Sequence, residues 1–207
     1  MTGAELKGDL RTRAPTACLV GAVAMVALSL PVRADPAAPA FVDRADGLPA
    51  PHVYTGGWEH FVGGGVAVFD CNDDARPDLF AAGGGSPARL FVNATPAPGA
   101  PLLFSEGALP RLTRVTGAYP LDIDGDGHLD LAVLRVGPNL LLRGDGACGF
   151  ADATAAWGFQ GGDAWSTAFS ATWEDGQTWP TLAIGNYVDL RDPEGPFGAC
   201  DTNELHR

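Results

Sequence analysis

The sequence predicts an all-β protein made of β-propeller blades, each of four short antiparallel strands, with about three blades present in an open or incomplete propeller. Three observations predict it. Apolar runs of four to seven residues return at nearly constant intervals along the 207 residues, bounded by many of the 28 glycines and 17 prolines, a pattern of short strands and tight turns. The runs superpose at a period of about 50 residues, and four short strands in that length is the size of a propeller blade. An acidic nonapeptide recurs at the same place in the first two periods.

Taken in order, the chain begins as an export signal. Lys7, Arg11 and Arg13 precede the apolar stretch 17–30, and Val32-Arg33-Ala34 is a small-x-small cleavage pattern before Asp35. Fourteen apolar residues are short for a bilayer span, which needs roughly 20. We therefore expect a signal peptide over 1–34, cleavage near Ala34-Asp35, no membrane insertion afterwards, and a secreted, periplasmic or cell-surface location. Residues 35–56 form a lead segment, and three units follow at approximately 57–108, 109–159 and 160–207.

Within a unit the first strand is Gly65–Phe69, Ala118–Leu121 or Ala168–Thr172. The second starts at Asp78, Asp130 or Thr181, at spacings of 52 and 51 residues. The third is Arg89–Asn93, Asn139–Arg143 or Asn203–Arg207. A turn, an aromatic residue and a short fourth strand close the unit. The last unit stops at its third strand, which would leave an open sheet edge, so the expectation is the N-terminal part of a longer protein.

The segment Asp122-Ile-Asp-Gly-Asp-Gly-His-Leu-Asp130 has acids at positions 1, 3, 5 and 9 and glycine at position 6. Four carboxylates so close repel one another unless a hard cation lies between them, and oxygen donors in this number suit Ca2+. Asp122, Asp124, Asp126 and Asp130 would offer side-chain oxygens and His128 its backbone carbonyl. The first unit repeats the spacing with Asp70, Asn72, Asp74 and Asp78 and the Arg76 carbonyl. It has Ala75 where a left-handed turn favours glycine, which weakens the site by about 1 kcal/mol. The third loop, 173–180, has lost most ligands and is expected to hold no metal.

The strand-loop-strand units with Asp-x-Asp-x-Asp-Gly-x-x-Asp, together with Gly63–Asp70, Arg89–Asn93 and Asp122–Leu131, resemble the FG-GAP/VCBS repeat family. Integrin α-subunit propellers belong to the same broad group. The likeness is in particular to bacterial secreted proteins whose repeats precede an ASPIC/UnbV-type C-terminal domain. It implies a propeller with calcium between the first two strands of a blade, and a scaffold with no particular ligand.

Composition narrows the partners. Net charge is −12, and the chain after residue 34 has nine arginines, no lysine and 23 acids, a net charge of −14. Such a surface disfavours nucleic acid and anionic membranes, leaving an unknown protein or glycan ligand. Cys71, Cys148 and Cys200 remain after cleavage. Their pairing is open, with Cys148 and Cys200 separated by one repeat length. His52, His60, His128 and His206 are scattered, and no hydrolase, zinc-protease or phosphate-loop motif occurs, so no enzyme is expected. Alternatives are the propeller portion of a polysaccharide-active enzyme and an adhesin using Arg143-Gly144-Asp145, although Gly-Asp-Gly is ordinary turn chemistry. Glu59-His60 is the odd cluster, expected in a strand that leads into the first blade. The five tryptophans are expected mainly to pack between blades.

Overall fold

Eleven strands among the described residues form three antiparallel sheets. The first contains β1 (Val66–Phe69), β2 (Asp78–Ala81), β3 (Arg89–Asn93) and β4 (Phe104–Glu106) in sequence order. The second repeats it with β5 (Val115–Leu121), β6 (Asp130–Arg135), β7 (Leu140–Gly144) and β8 (Phe150–Asp152). The third has β9 (Ser166–Thr172), β10 (Thr181–Asn186) and β11 (Glu204–His206). This computed structural model describes residues 40–61, 64–192 and 198–207; the expected export signal lies outside them. The architecture is all-β, with propeller-type blades, and no helix among the described residues is long and apolar enough to cross a membrane.

Each acidic loop starts directly after the first strand and ends on the first residue of the second. Phe69 pairs with Asp78, Leu121 with Asp130 and Thr172 with Thr181. All three loops are therefore nine residues long and lie at one end of the strands.

The core is two seams between blades. Strand β6 divides its side chains between them, as a period of two requires. Leu131 and Val133 enter a cluster with Phe69, Phe80 and Leu90 of the first blade. Ala132 and Leu134 enter a cluster with Leu182 and Ile184 of the third. A strand covered on both faces reads as an unbroken apolar run, which is why Leu131–Leu134 shows no alternation. Each buried Leu or Val contributes about 1.5–3 kcal/mol.

Two elements differ from expectation. β5 begins at Val115, not Ala118, because its start is fastened to both neighbouring blades. Gly65 N donates to Thr116 O at 2.8 Å, and Thr116 Oγ1 donates to Ser166 O at 2.7 Å. Glu59 and His60 belong to a 3₁₀ turn, Trp58–His60, and not to a strand. The lead segment also packs on the first blade: His52 Nε2 lies 2.8 Å from Ala82 O, and Thr55 bridges Gly84.

Candidate metal centre

The loop between β5 and β6 wraps around the carboxylate of Asp122, whose oxygens accept N–H bonds from Gly125 at 2.8 Å and Gly127 at 3.0 Å. Gly125 and Gly127 have φ of 75° and 89°, the left-handed region where glycine has no Cβ penalty. Asp126 Oδ1 accepts the His128 N–H at 2.9 Å. Asp130 is fully buried at the start of β6 and accepts from Ile123 N at 2.7 Å and Gly144 N at 2.9 Å. One ligand oxygen each from Asp122, Asp124 and Asp130 lie within 4.8 Å of one another.

The loop between β1 and β2 has the same wiring. Ala75 N donates to Asp70 Oδ2 at 2.7 Å and Arg76 N to Asp74 Oδ1 at 2.9 Å. Asp78, also fully buried, accepts from Cys71 N at 2.9 Å and Asn93 N at 2.7 Å. The two left-handed positions are kept by Asp73 and Ala75, with φ of 58° and 62°.

Residues 70–133 match the FG-GAP-like repeat family. The matched stretch begins at the first acid of one loop, passes through the whole of the other and ends inside β6, covering about a third of the chain. No curated protein matches the chain. The repeat's two loops thus share one backbone solution on two sequences.

The two loops differ in how their acids are balanced. In the second, the Arg143 guanidinium at the end of β7 lies 2.8 Å from both Asp124 Oδ2 and Asp126 Oδ2. The Asp126 carboxyl is held below the usual range by the His128 N–H and then by Arg143. Burial pushes Asp130 the other way, above the usual range, against the opposing pull of backbone N–H groups, those of Gly144 and Ile123 foremost. Ionised Asp130 is therefore costly to bury, and a cation beside it would offset that cost. In the first loop Arg76 reaches Asp74 at 3.1 Å. The Asn72 amide, turned with its nitrogen towards the acids, donates to Asp70 Oδ1 at 3.0 Å and Asp74 Oδ1 at 3.3 Å. Among the described residues Asp70 and Asp74 join no cluster of three metal-type side chains, while Asp78 groups with Cys71 and Cys148.

Cys71 and Cys148 form a disulfide, and Cys200 is free and exposed. Cys148 lies in the turn between β7 and β8, whereas Cys200 bridges Val188 beyond β10. The two cysteines do not share a repeat position, despite their spacing. The disulfide ties position 2 of the first loop to the second blade, and His128 Nδ1 stands 4.0 Å from Asp73 Oδ2 beside it. The two loops are thus one connected surface. Sequence reading missed this pairing and Arg143; the one available signal for Arg143 was the strand pairing, which puts Leu142 opposite Leu131 and Arg143 at the rim of the loop.

The Arg143-Gly144-Asp145 tripeptide is occupied structurally. Arg143 holds the loop acids, and Asp145 Oδ1 accepts from Ala147 N and Gly149 N, both at 2.8 Å. In the third loop Trp173 stands at position 1 and Thr181 at position 9. Glu174 is bound by Thr181 Oγ1 at 2.6 Å and by Arg207.

Ala75→Gly should stabilise the protein. A Cβ in the left-handed region costs roughly 1–2 kcal/mol, and the extra freedom of an unfolded glycine returns about 0.4–1 kcal/mol of it. A rise of about 2 °C in the thermal midpoint is expected; an unchanged or lower midpoint would show that the first loop bears no such strain.

Proposed function

We propose that the chain is an exported, calcium-stabilised β-propeller scaffold that binds a protein or glycan ligand, with the cation structural and no catalysis of its own. The observation that carries this reading is the convergence of Asp122, Asp124 and Asp130 oxygens within 4.8 Å in a loop whose backbone already has ligand-loop turns. These donors are hard oxygens, as calcium requires. In the proposed site Asp126 and the His128 carbonyl complete the protein ligands. The weaker second site takes Asp70, Asn72, Asp74, Asp78 and the Arg76 carbonyl.

The ion's role is to fasten the first two strands of a blade and to relieve repulsion that Arg143 relieves only for Asp124 and Asp126. With a dissociation constant of ~10⁻⁴ M, in the extracellular range, and about 2 mM calcium, linkage adds ~1.8 kcal/mol per site. Thermal melts in calcium and in chelator test the reading. A midpoint about 5 °C higher in calcium is expected; coincident curves would refute a structural ion.

A further inference from the structure

Arg143 and Arg207 hold the same register position in their blades. Leu131 and Leu182, the residues directly after the second and third loops, pair with Leu142 and His206, so the arginines come next at the loop rim. In the first blade Leu79 pairs with Phe91, and Val92 takes that place. The two arginines act alike: Arg143 holds Asp124 and Asp126, and Arg207 holds Glu174. The third loop, with Trp173 and Thr181 at its first and last positions, has the guanidinium without the row of acids. In the second loop the guanidinium and the full row of acids coexist. There both oxygens of Asp124 and of Asp126 are engaged. Asp124 Oδ1 accepts the Asp126 N–H at 3.2 Å, Asp126 Oδ1 accepts the His128 N–H at 2.9 Å, and Arg143 lies 2.8 Å from the Oδ2 of each. Oxygens of Asp122, Asp124 and Asp130 converge within 4.8 Å, and Asp126 is not in that group.

We propose that Arg143 is a tethered counter-cation that competes with the divalent cation for Asp124 and Asp126 and so sets the affinity of the second loop. The inference rests on the calcium reading above and adds a control element to that site. The N–H bonds from Gly125, Gly127 and His128 are made by the loop's own backbone and shape its turns. The Arg143 bonds come from another strand, β7, and are the ones that can be given up. Its side chain is 52% exposed, so a released guanidinium is rehydrated at the rim and the exposed pairs are cheap to break. A guanidinium carries one positive charge and only donates, whereas a divalent cation carries two and gathers oxygens from several sides. Asp126 joins the converging oxygens by leaving Arg143. The loop is thus fastened in both states, to β7 by the guanidinium without the ion and between β5 and β6 with it. The first loop, with Val92 at this register position, has only its own Arg76, which reaches Asp74.

The test is a calorimetric calcium titration of the full chain, with Asp70→Asn and Asp74→Asn silencing the first loop in every sample, comparing the protein that keeps Arg143 with Arg143→Val. The variant should bind at least ~fivefold tighter, the equilibrium factor carried by about one exposed ion pair. In chelator it should melt below the protein that keeps Arg143, and it should gain more on adding calcium. The Arg143 Nε–H, followed by NMR, should be protected from exchange with water in chelator and lose that protection as calcium is added, a response that charge repulsion without release would not produce. This readout needs no change at Arg143, so it decides the matter even where Arg143→Val fails to fold. Equal or weaker calcium binding by Arg143→Val, or an Nε–H that stays protected at saturation, would overturn the proposal and make Arg143 a fixed support of the acids. Either result beside calcium uptake by the protein that keeps Arg143 leaves the calcium reading standing. Absence of uptake by both proteins ends the two together, so the failures are distinguishable.

Discussion

Replacing Asp130 with alanine should lower stability by about 3 kcal/mol even without calcium. The carboxylate is fully buried and accepts two backbone N–H groups, Ile123 N at 2.7 Å and Gly144 N at 2.9 Å. Hydrogen bonds to a charged group are worth about 1.5–3 kcal/mol each, and a buried donor left without an acceptor costs about 1–3 kcal/mol. Burial of the charge, seen in the raised carboxyl pKa, offsets part of that sum. A midpoint lower by roughly 10 °C follows for a domain of this size. Asp130→Asn keeps the shape and one acceptor oxygen, so about half the loss is expected. The alanine variant should also lose the gain in stability from calcium. A variant that melts within about 1 °C of the parent would show that Asp130 does not join β6 to the start of the loop and the end of β7.

The second large effect belongs to the disulfide. Cys71 and Cys148 are 77 residues apart, and closing a loop of that length in the unfolded chain is worth about 4.5 kcal/mol on the chain-entropy model. Cys71→Ser with Cys148→Ser should therefore cost more than any surface substitution. It should also loosen the first loop, because Cys71 N donates to the Asp78 carboxylate at position 9. The expected signature is a large drop in midpoint under non-reducing conditions and a match between the double variant and the reduced parent. Equal stability of oxidised parent and double variant would remove the disulfide from the account.

Much of the fold was legible because propeller strands are short and periodic. The pairing of Asp78 with Phe69 and of Asp130 with Leu121 follows from a loop of constant length set between apolar runs. The third strand of the last unit was readable from its likeness to Asn139–Arg143, and it forms β11. What escaped was everything decided between blades. Val115 to Gly117 extend β5 because Thr116 bonds Gly65 and Ser166, 50 residues or more away. Cys148 finds Cys71 and not the cysteine one repeat length on. Of the five tryptophans, Trp165 is fully buried but Trp58, Trp173 and Trp179 are 45–48% exposed; composition does not say which face an indole takes. In the candidate site the acids were visible from spacing, and Ala75 was legible as a residue at positive φ. Asp73 at the same kind of position was not, nor was the role of Arg143 as counter-charge, since both depend on how the loop closes and what strand lies beside it.

The central claim is that a divalent cation is held by the acids from Asp122 to Asp130 and fastens β5 to β6. Its most direct measurement is a calorimetric titration of the metal-stripped, folded protein with calcium, run beside Asp122→Asn with Asp124→Asn. The parent should give a saturable heat with a dissociation constant of ~10⁻⁴ M, and the double variant should lose that component while staying folded. A parent that takes up no calcium, or a double variant that binds as the parent does, would contradict the account.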